Sequence, residues 1–138
     1  MIVTKRIRLE TKGNCDIVDV TRDIQRALTE TKFTAGTVTI FVTGSTAGVT
    51  TVEYEPGLLN DLKNLWERVV PKDVPYQHDG GTGEGNGFSH VRASLLGPSL
   101  VVPFSEQELL LGMWQQIVLL DFDNRPRSRT VVVQVTGE

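Results

Sequence analysis

Thr37-Val38-Thr39-Ile40-Phe41-Val42 leaves this chain fewer choices than any other stretch. Most of its side chains are β-branched, stiff at χ1 and better suited to a pleated surface than to a helix. The run is nearly continuous in apolar character and follows the breaker Thr34-Ala35-Gly36, so it reads as a central strand. A central strand obliges the rest of the chain to supply flanking strands and covering helices. Residues 2–11 offer a strand in which Ile7 and Leu9 alternate with Arg6, Arg8 and Glu10, and Lys12-Gly13-Asn14 then turns the chain. Val49–Glu55, Ser99–Phe104, Met113–Asp121 and Ser128–Val135 read as further strands, with a short turn of open type at Glu106–Gly112. Phe122–Arg127 joins the last two as a closing hairpin.

Two amphipathic segments supply the cover. From Asp19, Val20, Ile24, Ala27 and Leu28 fall at helical spacing, with Asp19 or Thr21 as the cap. Pro56-Gly57 opens the second helix, whose Leu58, Leu59, Leu62, Leu65, Trp66, Val69 and Val70 form one apolar side until Pro71 stops it. A third, shorter helix is predicted between Asn86 as N-cap and the stop Gly97-Pro98, burying Phe88, Val91 and Leu95. The expected fold is α+β: a single domain, residues 1–138, with a mixed β-sheet packed on two main helices plus a short helix after a glycine-rich loop.

At 138 residues the chain can bury a core without staples. A hydrophobic content of 39% against 22% charged excludes a disordered chain. The net charge of −3 argues against a broad nucleic-acid or membrane footprint. No apolar run approaches the length of a membrane span, and the first residues are too short in apolar run for a signal peptide. Cys15 is alone, so it forms no disulfide within the chain; it reads as structural and fits a reducing, cytoplasmic setting.

The chemistry concentrates in Tyr76–Pro98. Both histidines and five glycines fall between His78 and His90, a density that suits a loop wrapping a small ligand. Asn86 and His90, four apart, share a helical face, with Ser94 one turn on. The helix N-terminus would offer N–H groups to an anion. Thr43–Gly48 is a cluster of small and hydroxylated residues in which Ser45 and Thr46 could bond an oxyanion, although an ordinary hairpin turn would use the same residues. Arg125, Arg127 and Arg129 are spaced by two, with Arg92 on the short helix; guanidinium forks suit phosphate oxygens, and surface charge at a hairpin end is the plainer account. No nucleophile-elbow pattern surrounds a serine. Two histidines fall short of the three ligands zinc requires, so Asp79, Glu84 or Glu53 would have to complete a metal site. Taken together, these features point to a small phosphorylated ligand.

The residues also carry a resemblance. Ser45-Thr46-Ala47, Glu53, Glu55-Pro56-Gly57-Leu58-Leu59-x-Asp61-Leu62, Tyr76-x-His78, Asn86-x-x-x-His90, Ala93-Ser94-Leu95-Leu96-Gly97-Pro98-Ser99, Leu111-Gly112-x-Trp114-Gln115 and Asp123-x-x-x-Arg127-x-Arg129 resemble the pattern of the YjbQ family. That resemblance implies a small α+β protein assembling as a homotrimer. It also implies an activity labelled secondary thiamine-phosphate synthase, which joins an aminopyrimidine diphosphate to a thiazole phosphate. His78, His90 and Glu53 would then be catalytic. Ser45, Thr46, Asn86, Arg92, Gln115, Arg127 and Arg129 would hold a phosphorylated substrate. His78 and His90 would ligate a divalent metal: zinc, manganese or magnesium. The rival reading is a non-catalytic, oligomeric metabolite- or metal-binding protein of the same fold. The chain departs from the commoner family pattern at Gly44 and Phe88, each a histidine there, and at Val52, an asparagine there; it resembles a variant branch.

Overall fold

The computed structural model describes residues 1–82 and 84–138, the side chain of Thr82 excepted, so Gly83 of the glycine-rich stretch lies outside the described residues. Along the chain come β1 (Ile2–Thr11), β2 (Asp16–Asp19), α1 (Thr21–Thr31), β3 (Ala35–Val42), β4 (Ala47–Val52), α2 (Pro56–Val69), α3 (Gln77–Thr82), α4 (Gly87–Leu96), β5 (Ser99–Ser105), β6 (Glu108–Leu109), β7 (Gln116–Asp121) and β8 (Arg127–Gly137). The strands form a five-stranded sheet, β1-β8-β3-β5-β6, and a three-stranded sheet, β2-β7-β4. Every pairing is antiparallel, so the fold is α+β as expected but the mixed sheet resolves into two antiparallel ones. No helix among the described residues is long and apolar enough to cross a membrane.

The run at 37–42 is central by position, with β8 on one side and β5 on the other. Its alternate residues Val38, Ile40 and Val42 are fully buried, whereas Thr37 and Phe41 face outward. The strand enclosed on both faces is β7 instead, where Ile117, Val118, Leu119 and Leu120 are all buried. The cause is the layering. One core joins α1 (Ile24, Ala27, Leu28) to the inner face of the large sheet and to Ile117 and Leu119. A second core sets Val118, Leu120, Phe122 and Ile17 against Trp66 of α2 and Ala93 of α4. The small sheet is thus the middle layer, and an unbroken apolar strand is what a middle layer requires.

Several local expectations change. β4 ends at Val52, so Glu53 and Glu55 do not share a strand face; Glu55 caps α2, its carboxylate accepting from the N–H groups of Gly57 and Leu58 at 2.8 Å each. α1 starts after Val20, and Asp19 supports that start by accepting from the Thr21 N–H and hydroxyl. Met113, Trp114 and Gln115 precede β7 rather than belong to it. On α2 only Trp66 is fully buried; Leu65 and Val69 lie on the open side. On α4 the predicted stripe is rotated. Phe88, Ser89, Arg92 and Ala93 are buried, while Val91 and Leu95 are exposed, because the helix is embedded along its 88–92 and 89–93 rows. β2, α3 and β6 were not anticipated. Neither 43–46 nor 122–126 is a hairpin turn: β3 and β8 belong to the large sheet, β4 and β7 to the small one, and each segment carries the chain between sheets. The two crossings touch, with Phe122 N–H donating to Thr46 O and Thr43 N–H to Thr130 O.

Candidate functional site

Where the crossings meet, charge is buried. Arg129 and Asp121 form a side-on pair, Nε to Oδ2 at 2.7 Å and Nη2 to Oδ1 at 2.8 Å, with both side chains almost wholly enclosed. Arg129 Nη2 also reaches Thr46 Oγ1 at 2.6 Å, and the Thr46 hydroxyl donates to Asp123 Oδ2 at 2.9 Å. Thr11 donates to Asp121 Oδ2 at 2.5 Å. Arg127, which shares a strand face with Arg129, closes on Asp123 through Nε at 2.9 Å. Desolvating such charges costs several kcal/mol per ion, so the cluster persists only because nearly every lone pair and N–H is used. Asp123 carries the result: burial alone would raise its carboxyl, but bonds from Thr46, the Asn124 N–H, Arg127 and Asn86 hold it below the usual carboxylate range.

The cluster extends to α4 through Asn86. Its amide Nδ2 lies 3.4 Å from Asp123 Oδ1, and its buried Oδ1 has no hydrogen-bond partner among the described residues. The Asn86 side chain therefore does not cap the helix. Asp79 of α3 takes that part, its Oδ1 accepting the Gly87 N–H at 2.8 Å, and the anion expected at these N–H groups meets a carboxylate already seated there. Gly87 permits the approach: a Cβ at this position would stand 2.8 Å from Tyr76 Cβ and 2.9 Å from Asp79 Oδ1. With α3 held so closely, the two histidines meet, their ring centroids 4.4 Å apart and tilted by 40°. His78 Nδ1 lies 3.5 Å from Asp79 Oδ1.

Ser45 is exposed and borders a hollow of about 210 Å³ shared with Gly44, Ala47, Ala93, Ser94 and Pro98. Ser94 sits one turn beyond His90 and donates to its carbonyl at 2.8 Å. Gly44 has φ +125°, and a Cβ there would lie 2.8 Å from Arg129 Nη1. The missing side chain therefore leaves room for the guanidinium edge that Asp121 does not use.

Of the residues expected to act together, the fold links Thr46, Asn86, Arg127 and Arg129 in one network, pairs His78 with His90, and leaves Ser45 at the rim of the hollow beside Gly44. Three others lie apart. Arg92 is buried on the opposite side of α4, with Nε donating to Val70 O at 3.0 Å and Nη2 to Glu67 at 2.8 Å, so it ties α4 to α2 and is turned away from the histidine face. Glu53 follows the far end of β4 from Thr46, about 20 Å away at ~3.3 Å per residue. Gln115 bonds the Gly112 N–H and Thr51 at that same far end. Arg125 is exposed. Among the described residues no three His, Cys, Asp or Glu side chains converge as a metal site, so Glu53 does not complete the histidine pair within one chain. Sequence reading missed Asp121, Thr11 and the capping role of Asp79. The pattern Asp121-x-Asp123 before Arg127-x-Arg129, two acids and two bases each at strand spacing, was the available signal for the first of these.

Two antiparallel sheets bridged by a buried Asp–Arg cluster, with a pair of histidines on adjoining helices, make this a small α+β protein. Solved structures share its fold: a YbjQ-like protein of unknown function from Sulfolobus solfataricus superposes with a TM-score of 0.94 at 27% identity, covering 100% of this chain and 99% of that one. A conserved protein of the yjbq/upf0047 family from Clostridium acetobutylicum gives 0.87 at 30% identity, over 96% and 99%. The family described as UPF0047 protein YjbQ-like matches residues 5–138, and the chain belongs to it. Among curated relatives, a UPF0047 protein of Archaeoglobus fulgidus is 35% identical over 93% of this chain and 97% of its own length. YugU of Bacillus subtilis is 31% identical over 96% and 98%.

Proposed function

We propose that the chain binds a small phosphorylated metabolite along the exposed side of α4 and acts on it by proton transfer, in a reaction resembling the secondary thiamine-phosphate synthase activity. The observation that carries this reading is the meeting of His78 and His90 at 4.4 Å from two different helices. Histidine is the usual side chain for moving protons near neutral pH, and a leaving phosphate oxygen needs a proton or a positive charge beside it. The Ser45 hydroxyl borders the adjacent hollow and would offer the anion a contact there. A divalent zinc, manganese or magnesium ion would have His78 and His90 as two ligands and would need its third from a substrate or a second copy of the chain.

The same reading includes a homotrimer, the number three resting on the family resemblance. Exposed Phe41 and Val101 on the outer face of the large sheet, and Met113 and Trp114 before β7, are the apolar surfaces that assembly would cover. Glu53 and Gln115 would join the histidines only across such an interface. Light scattering at micromolar concentration should return three times the chain mass; a monomer would sink the assembly.

The test of function is turnover. Purified protein given an aminopyrimidine diphosphate and a thiazole phosphate should form thiamine phosphate, and wild type should rescue thiamine-requiring cells where His90→Ala does not. Equal rescue by both removes His90 from catalysis. Ligand binding without turnover in either protein favours the non-catalytic reading.

A further inference from the structure

Behind α4, on the face turned away from the histidines, lies a separate cavity of about 180 Å³, room for roughly six waters at ~30 Å³ each. Its lining is unusual for its charge. Lys63 of α2, Lys72 and Arg92 all border it, against the single acid Glu67. The surplus is two positive charges around a space of that size, in a chain whose net charge is −3. The wall is built. Arg92 is 4% exposed and fixed by Val70 O and Glu67, which use Nε and Nη2 and leave Nη1. Lys72 is drawn in by Asn14 Oδ1 at 3.3 Å, and Lys72 and Arg92 both sit over the Phe88 ring, at 5.6 and 5.1 Å from its centre. Cys15 completes the floor from a loop in which Gly13, Asn14 and Cys15 all have positive φ. This loop is pinned by the Asn14 N–H on Asp123 O at 2.6 Å.

We infer that this cavity is a binding site for a compact, multiply charged oxyanion of phosphate to pyrophosphate size, distinct from the site on the histidine face. The exposed Lys63 and Lys72 supply ammonium groups, and the buried Arg92 a guanidinium edge held by Val70 O and Glu67. Such a combination accepts an oxyanion by closing the lysines over it while the arginine sets its position. Burial holds the Cys15 thiol above its ordinary pKa, while Arg92 and Lys63 pull it the other way. An anion that takes up those two cations leaves the thiol both covered and less acidic.

Cys15 is the only cysteine of the chain, so its alkylation reports on this cavity alone. The experiment measures the rate of Cys15 modification by iodoacetamide at fixed pH, with and without inorganic pyrophosphate at matched ionic strength. Three proteins are compared: wild type, His90→Ala, and the double variant Lys63→Gln/Lys72→Gln, whose lysines are exposed and whose fold is checked by circular dichroism. Pyrophosphate should slow modification about tenfold at saturation in wild type and in His90→Ala alike. The double variant should need about ten times more pyrophosphate for the same protection, a tenfold loss of affinity. Protection that survives unchanged in the double variant overturns the proposal, as does a wild-type rate indifferent to pyrophosphate. Protection lost in His90→Ala would assign the effect to the histidine face and overturn it equally.

Discussion

Arg129 is the residue on which the crossings depend, because its guanidinium holds Asp121 and Thr46 together from a strand of the other sheet. Arg129→Met would leave the enclosed Asp121 with the Thr11 hydroxyl and the Asp123 N–H but no counter-charge, an uncompensated buried charge that costs about 3–5 kcal/mol. Urea unfolding should show that loss as a lower midpoint, and a change under 1 kcal/mol would mean that the carboxylate finds water. Asp123 adds a pH signature. Its carboxyl is held below the usual range, so the folded chain binds fewer protons there than the unfolded one. That contribution is complete above the unfolded carboxyl range near ~3.9 and is lost as pH falls through the depressed folded value. Unfolding measured between pH 5 and pH 2 should therefore fall less steeply in Asp123→Asn than in wild type; parallel curves would show that the network does not titrate with the fold.

At the level of elements, the pairing of α3 with α4 turns on one missing methyl group. Gly87→Ala would press a Cβ against Tyr76 and Asp79, an overpacking worth about 1–3 kcal/mol, relieved by moving α3 away. The histidine rings would then separate, and turnover should fall with overall stability only modestly changed; full activity in that variant would detach function from the ring contact. This contact also marks the boundary of what sequence could convey. Strand and helix positions were readable where one pattern dominates: alternation in β1, a β-branched run in β3 and a helical stripe in α2. The rotation of α4 was not, because Phe88, Val91 and Leu95 are apolar on any helix, and only the placement of β4 and α2 decides that Arg92 goes inside. His78 and His90 could be nominated from their setting, but their meeting depends on α3, a helix whose Gly80-Gly81 carries no helical signal. Asp121 was hidden for a related reason: an acid closing an apolar strand reads as the point where the strand reaches water, and its partner is eight residues on, in the other sheet.

Across the whole molecule the small sheet has a core on each side, and Phe122 anchors the outer one with its ring 4.8 Å from that of Trp66. Phe122→Ala should cost about 3–5 kcal/mol, since the enclosed strand beside it cannot collapse into the gap. The sheet order has a consequence for synthesis. β8 is made after β1 to β7 and lies between β1 and β3 in the large sheet, and β1 pairs with β8 along its whole length from Ile2↔Thr136 to Thr11↔Arg127. Until β8 is made, β1 has no partner and β3 presents an open, apolar edge. Contacts that span nearly the entire chain form late, and edges left bare meanwhile recruit other chains. Residues 1–126 expressed alone should therefore aggregate, where a soluble, cooperatively unfolding fragment would show that the sheet assembles from its other strands first. Nascent chains lack the middle of the large sheet until β8 has been made, so their yield should depend on chaperone supply far more than the stability of the finished fold suggests.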